Sequence, residues 1–350
     1  MAKLLWKPSE EQIKSSNMYR FMNVINEKYH QNFSEFESLY QWSIENIADF
    51  WENFWEFADI IASKPYEQVI DDVAKMPGAR WFSGARLNFA QNLLRFRDDQ
   101  VALIFKGEGQ QSTRMTYAEL YDEVARLAKS LKSAGVQAGD RVVGFMPNMP
   151  ATIVAMLAAT SLGATWSSCS PDFGIKGVLD RFGQIQPKVL FTANGYSFKG
   201  KKMDSLVRIA DILEKLPSTE KVVVVPYTDQ NADISAIANA VHYKDFRSSE
   251  SSLEIEFEQL PFDHPLYVMY SSGTTGLPKC MVQSAGGILV HHLKELILHT
   301  DLKREDTIFY FSTCGWMMWN WLTSSLAVGA TLVLFDGNPF HPHPGALWEM

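Results

Sequence analysis

From about residue 99 onward, short and almost wholly apolar runs alternate with stretches of helical period, and this alternation settles the fold class. Val101–Phe105, Arg141–Met146, Ala164–Ser167, Lys188–Thr192 and Lys221–Val225 have the length and composition of strands without a polar face. Between them lie helical stretches. The first opens on a capping box, Thr116 with Glu119, runs to Ala134 and stops at Gly135. Others span about Ala151–Leu162, stopped by Gly163, then Ile175–Gln184 and Met203–Leu216. Strands that are apolar on both sides and separated by helices imply a parallel sheet covered on both faces. A further α/β unit is predicted from strand Leu266–Tyr270. It continues through a strand near Met281–Val282, a helix at about 287–299, strand Thr307–Phe311, a helix near Met317–Val328 and strand Thr331–Phe335.

The first 95 residues read differently. Ser9 with Gln12 and Ser34 with Glu37 have capping-box spacing. From Ile47, the residues Phe50, Trp51, Phe54, Trp55, Ala58 and Ile61 recur at helical spacing and give one buried aromatic face. The expected division is a helical extension over 1–95, a first α/β lobe over 96–226, a polar and acidic crossing segment over 227–262, and the start of a second lobe over 263–350. The polar, Lys-rich stretch Asn194–Lys202 reads as a connection.

The net charge of −8 argues against a nucleic-acid or anionic-membrane partner, so an anionic ligand must be held by a local cluster of donors. Three cysteines with no CxxC pair suit a reducing compartment without a disulfide frame or zinc site. The longest apolar stretch, Ala151–Trp166, is too short and too mixed to span a bilayer, and the first residues lack the apolar centre of a secretory signal. A cytoplasmic protein is expected. No metal site is assigned: His291 and His292 are helix neighbours pointing apart, and His341 and His343 sit in a Pro-rich turn. Cys314 has no base beside it for a covalent role.

The chemistry is concentrated in Tyr270-Ser-Ser-Gly-Thr-Thr-Gly-Leu-Pro-Lys279. Directly after an apolar strand, Gly273 and Gly276 let the backbone turn tightly. Backbone N–H groups and the hydroxyls of Ser271, Ser272, Thr274 and Thr275 offer short donors, and Lys279 adds a positive charge. Such a loop suits phosphate oxygens. It is not a Walker A loop, which needs four residues between its glycines and a Lys-Ser/Thr directly after the second.

This run resembles the phosphate-binding loop of the adenylate-forming superfamily, which includes acyl-CoA synthetases, luciferases and peptide-synthetase adenylation domains. Thr116–Leu120 (TYAEL) and Gly135–Val142 (GVQAGDRV) resemble that family's upstream motifs. Trp6–Phe21 and Cys280–Trp321 resemble its acetoacetate-activating branch most closely. The resemblance implies two stacked, parallel-rich sheets flanked by helices, here incomplete, behind a helical N-terminal extension. It implies use of ATP, Mg²⁺ and coenzyme A, with acetoacetate as the acid and acetate or propionate as alternatives.

By matching position, Ser271, Ser272, Gly273, Thr274, Thr275, Gly276 and Lys279 would hold the ATP phosphates, with Lys279, Thr274 and Thr275 closest to the chemistry. Trp316, Met317 and Met318 would wall the acyl pocket, although a core role would use the same residues. Lys199 and Lys201 fall where acetyl-CoA synthetases contact the 3′-phosphate of coenzyme A, or else lie on a solvated loop. The adenine-binding strands, the Mg²⁺-binding acid, the ribose-binding Asp and the C-terminal lid with its Lys are expected beyond residue 350. The chain alone is therefore expected to be inactive, and a non-catalytic nucleotide-binding module is the reading from another class.

Overall fold

The computed structural model describes residues 5–271 and 276–350. Helices dominate the first part: α1 (Glu10–Ser15), α2 (Asn17–Tyr29), α3 (Phe36–Glu45) and α4 (Ile47–Phe57). The Ser9–Gln12 capping box forms as expected. The Ser34–Glu37 box does not. Glu35, not Ser34, stands at the N-cap of α3 and makes no side-chain cap, so the helix starts one residue late for the reciprocal bonds to close. On α4, Phe54 and Trp55 are buried and Phe50 and Trp51 pack against the core, with Phe21 of α2 edge-on to Phe50, Phe54 and Phe57. Short strands β1 (Ala62–Lys64), β2 (Gln68–Ile70), β3 (Trp81–Ser83) and β4 (Arg86–Leu87) lead into α5 (Phe89–Leu93).

The body follows the alternation read from the sequence. It comprises β5 (Val101–Gly107), β6 (Thr113–Thr116), α6 (Tyr117–Ser133), β7 (Arg141–Phe145), α7 (Pro150–Ser161), β8 (Thr165–Cys169), α8 (Ile175–Ile185) and β9 (Val189–Ala193). Thr116 and Glu119 cap α6 reciprocally, and Gly135, at φ 78°, turns the chain out of it.

Two expectations are corrected in the next stretch. Asn194–Lys202 is not a plain connection, and the following helix does not begin at Met203. Instead β10 (Gly195–Phe198) and β11 (Lys201–Asp204) form a hairpin, and α9 spans only Leu206–Leu213. The two turn residues, Lys199 and Gly200, both have positive φ (53° and 75°), as a two-residue hairpin turn of the I′ kind requires. The Asp204 carboxylate then accepts from the Leu206 N–H, which places the helix start after Met203.

The remaining strands and α-helices are β12 (Lys221–Val225), β13 (Ala240–His242), α10 (Tyr243–Phe246), β14 (Leu260–Pro261), β15 (Pro265–Ser271), β16 (Lys279–Ser284), α11 (Ala285–Lys294), β17 (Thr307–Phe309), α12 (Met317–Ser324) and β18 (Thr331–Asp336). Residues 344–349 form turns.

Two main sheets result. The larger has the order β13-β12-β9-β7-β8-β15-β16, parallel except for β16, which runs antiparallel to β15 as the outermost strand. The smaller has the order β17-β18-β5-β6, with β6 antiparallel. Each sheet draws strands from both the 96–226 and the 263–350 stretches.

Consecutive residues of the large sheet part to opposite faces. Val142, Phe191 and Val223 join the cluster packed by α6 and α7, whereas Val143, Leu190 and Val222 join the one packed by α8 and α9. Both faces are thus dry, as strands without a polar side demanded. Helix α7 is buried from Thr152 to Ser161, which explains its unbroken apolar run. No helix among the described residues is long and apolar enough to cross a membrane.

Candidate active site

In parallel α/β sheets, ligands gather beyond the carboxyl ends of the strands. Here β15 ends at Ser271, where the phosphate-type loop begins, and the chain re-enters the sheet at Lys279, whose backbone pairs with Ser271. Ser272, Gly273, Thr274 and Thr275 lie outside the described residues. Their flanks are well anchored. Gly276 has φ 94°, a conformation that favours glycine, and the Pro278 carbonyl accepts from the Gln184 side chain of α8 at 2.8 Å. The exposed Lys279 side chain heads β16. Before the loop, Tyr270 receives a hydrogen bond from Ser167 (3.1 Å), and burial raises its phenol pKa, so it stays neutral. The Arg181 guanidinium stacks on Phe173 at 4.5 Å and lies 5.6 Å from the Tyr270 ring.

A second cluster joins the two sheets at the ends of β7, β8 and β18. Asn148, just beyond β7, donates to the carbonyls of Ser312 (3.2 Å) and Phe335 (3.4 Å) and accepts from the indole of Trp319 (2.9 Å). Ser168 donates to the Cys314 carbonyl, and the Cys314 thiol donates to the Met146 carbonyl. Burial pushes the Cys314 thiol well above its ordinary pKa, so it is a packed donor with no thiolate character.

Helix α12 is held here by Trp319, which is fully buried, while Trp316 is 67% exposed, Met317 is exposed and Met318 is half-buried. The first two therefore stand on an open face, not in the core, and the buried tryptophan is a neighbour the sequence reading did not single out. A narrow cleft between α12 and the ends of β8 and β15 is lined by Trp166, Ser167, Ser168, Val268, Gly315 and Asn320. The Asn320 side-chain oxygen is buried there without a partner among the described residues.

Lys199 and Lys201 are exposed at the tip of the β10–β11 hairpin, and neither ammonium group forms an ion pair among the described residues. The hairpin is fastened to the small sheet. The buried Glu108, just after β5, accepts from the N–H groups of Lys199 (3.2 Å), Gly200 (2.5 Å) and Asn338 (2.7 Å). Beside it, Tyr227 donates to Asp336 at 2.9 Å. Burial, reinforced by the Glu108 charge and opposed by the Tyr227 hydrogen bond, pushes the Asp336 carboxyl up to about 7. Asn148, Glu108, Tyr227 and Asp336 carried no local signal, because their partners lie roughly 90 to 230 residues away in sequence.

His341 stands 3.9 Å from Glu108 and His343 stands 3.2 Å from Glu349, so the two imidazoles face different carboxylates. Among the described residues no group of three His, Cys, Asp or Glu side chains could hold a metal ion.

A family model described as AMP-binding enzyme matches residues 89–350, and one described as the acetyl-coenzyme A synthetase N-terminus matches residues 36–93. Acetoacetyl-CoA synthetase of Gallus gallus is 46% identical over 100% of this chain and 53% of its own length. Acetoacetyl-coenzyme A synthetase of Rhizobium meliloti is also 46% identical, over 99% of this chain and 53% of its own. The solved structure of acetoacetyl-CoA synthetase from Streptomyces lividans superposes with a TM-score of 0.94 at 42% identity, covering 99% of this chain and 53% of that one. The chain spans about half the length of these relatives. With three quarters of its length matched by that family's model, the chain belongs to the AMP-binding enzyme family.

Proposed function

We propose that the chain is the phosphate-loop half of an acetoacetate–CoA ligase, which converts ATP, acetoacetate and coenzyme A to AMP, pyrophosphate and acetoacetyl-CoA through an acyl-adenylate. The observation that carries this reading is the match to acetoacetyl-CoA synthetases from end to end of the chain, with the same fold. A carboxylate is a poor electrophile, and adenylation gives it a good leaving group. The protein's task is to align the acid with the α-phosphate and to stabilise charge.

In this reading Ser271, Ser272, Gly273, Thr274, Thr275, Gly276 and Lys279 hold the β- and γ-phosphates. The anchored flanks of the loop and the placement of Lys279 at the head of β16 support that role. Mg²⁺ would arrive as the counter-ion of ATP. Trp316, Met317 and Met318 wall the acid's pocket from the start of α12, and their bulk suits a short chain. Lys199 and Lys201 meet the 3′-phosphate of coenzyme A, and their unpaired exposure on the hairpin tip supports this. Acetoacetate, ATP and coenzyme A would be the partners. The three free cysteines suit a cytoplasmic site of action.

The test is acid-dependent ATP–pyrophosphate exchange with acetoacetate, acetate and butyrate. It is run on the 350-residue chain and on the protein extended to the length of its relatives. Exchange by the longer protein alone, fastest with acetoacetate, is the expected result. Exchange with acetate as fast as with acetoacetate would move the substrate assignment to a simpler short acid. No exchange with any acid in either form would defeat the ligase reading and leave a nucleotide-binding module.

A further inference from the structure

Three segments far apart in sequence meet on one carboxylate. Glu108 follows β5, and its side chain is only 4% exposed. A buried carboxylate is costly unless its lone pairs are satisfied, and here three backbone N–H groups do so: Lys199 and Gly200 from the hairpin turn and Asn338 from the loop after β18. In a two-residue hairpin turn the N–H groups of both central residues point away from the ladder and ordinarily face water. Here both are captured by one side chain.

The backbones come close enough because glycine occupies the crowded positions. A Cβ on Gly337 would lie 2.5 Å from the Glu108 Cβ, and one on Gly200 would lie 3.3 Å from the His341 ring. The turn is therefore gripped from beneath by Glu108 and flanked by His341, while Lys199 and Lys201 remain exposed above it.

We infer that Glu108 is a positioning residue that preforms the Lys199-Gly200 turn, so that Lys199 and Lys201 present a fixed pair of cations to a phosphomonoester, the 3′-phosphate of coenzyme A. The identity of the phosphate rests on the coenzyme A reading proposed above; the grip on the turn does not. Lysines are flexible point charges without the planar fork of arginine, so fixing the backbone that carries them reduces the ordering cost of binding. Glu108 itself does not touch the ligand, which would repel it.

The experiment pairs a conformational readout with a ligand readout on the protein extended to the length of its relatives, as wild type and as Glu108→Gln and Glu108→Ala. Amide hydrogen exchange over residues 195–204 reports the turn, with thermal unfolding as the check on the fold. Calorimetric titration with coenzyme A and with 3′-dephospho-coenzyme A reports the phosphate. Glu108→Ala should speed exchange at the turn at least tenfold and remove the preference for the 3′-phosphorylated ligand. Glu108→Gln, which keeps one acceptor oxygen and should fold even if the alanine variant does not, should fall between. Unchanged exchange in a folded variant overturns the positioning role, as does faster exchange with the phosphate preference intact. If the wild type does not distinguish the two ligands, the coenzyme A reading fails, and the grip on the turn is then judged by exchange alone.

Discussion

Asp336 offers the sharpest test of the electrostatics at the junction between the sheets. Its carboxyl titrates at about 7 in the folded chain against 3.8 for an unhindered aspartate, chiefly because burial disfavours the anion. Between those two values the folded state holds a proton that the unfolded state has released. Stability must therefore fall as pH rises, by about 1.4 kcal/mol per unit. The interval from 3.8 to about 7 is roughly three units, which gives about 4 kcal/mol by pH 8. Part of Asp336 remains open to solvent, so about 2–4 kcal/mol is the working range.

His292 hides this slope in the unmodified chain. It is buried between α11 and α12, hydrogen-bonded to Ser324, and its pKa is pushed down to about 3 by burial. Below about 6.5 the unfolded state takes up a proton that the folded imidazole refuses, so this group makes stability rise with pH over nearly the same interval. The two slopes oppose each other, and the wild-type profile should look deceptively flat.

Asp336→Asn separates them, because the amide keeps the shape and still accepts from the Tyr227 hydroxyl but cannot ionise. Urea unfolding at pH 5, 6, 7 and 8 should show the variant about 1–2 kcal/mol more stable than wild type at pH 5 and about 2–4 kcal/mol more stable at pH 8. A difference between variant and wild type that does not change with pH would refute the argument.

Two further outcomes follow from packing and capping. Trp319→Phe keeps an aromatic ring in the core but deletes the donor to Asn148, leaving that buried oxygen unpaired, so a loss of about 2 kcal/mol in urea unfolding is expected. A loss under about 0.5 kcal/mol would mean that Asn148 finds another partner. Thr116→Ala removes a working capping box and should cost about 1 kcal/mol, whereas Ser34→Ala, at a box that does not form, should stay within about 0.5 kcal/mol of wild type. Equal losses at the two sites would contradict the N-cap assignments.

What the sequence disclosed and what it concealed divide by range. The apolar runs at 141–146 and 188–192, the buried α7 and the caps at Ser9 and Thr116 are local patterns, and each appears in the fold within a residue or two. The β10–β11 hairpin was hidden because its turn is Lys-Gly, lacking the Asn or Asp that usually announces a type I′ turn. The failed cap at Ser34 shows the weakness of spacing alone, since a shift of one residue in the helix start removes both bonds.

At the candidate site, the phosphate-type loop was legible because its glycines, hydroxyls and lysine are contiguous. The bond from Asn148 to Ser312 and that from Trp319 to Asn148, the Glu108 grip and the Tyr227–Asp336 pair were not, because they exist only once distant strands have been brought together.

The outermost position of β16 has a practical consequence for experiments. Cys280 lies on that strand next to Lys279 and is exposed, whereas Cys169 and Cys314 are buried. A thiol reagent should therefore modify the chain at one point, slowly, since partial burial raises the Cys280 pKa and keeps the thiolate scarce near neutrality. Met281 and Val282, exposed beside it, make the same edge a ready template for strand addition. Whatever comes to lie along β16, whether another stretch of polypeptide or a second molecule, would slow the alkylation of Cys280, so the chain carries its own chemical clock for the covering of its sheet.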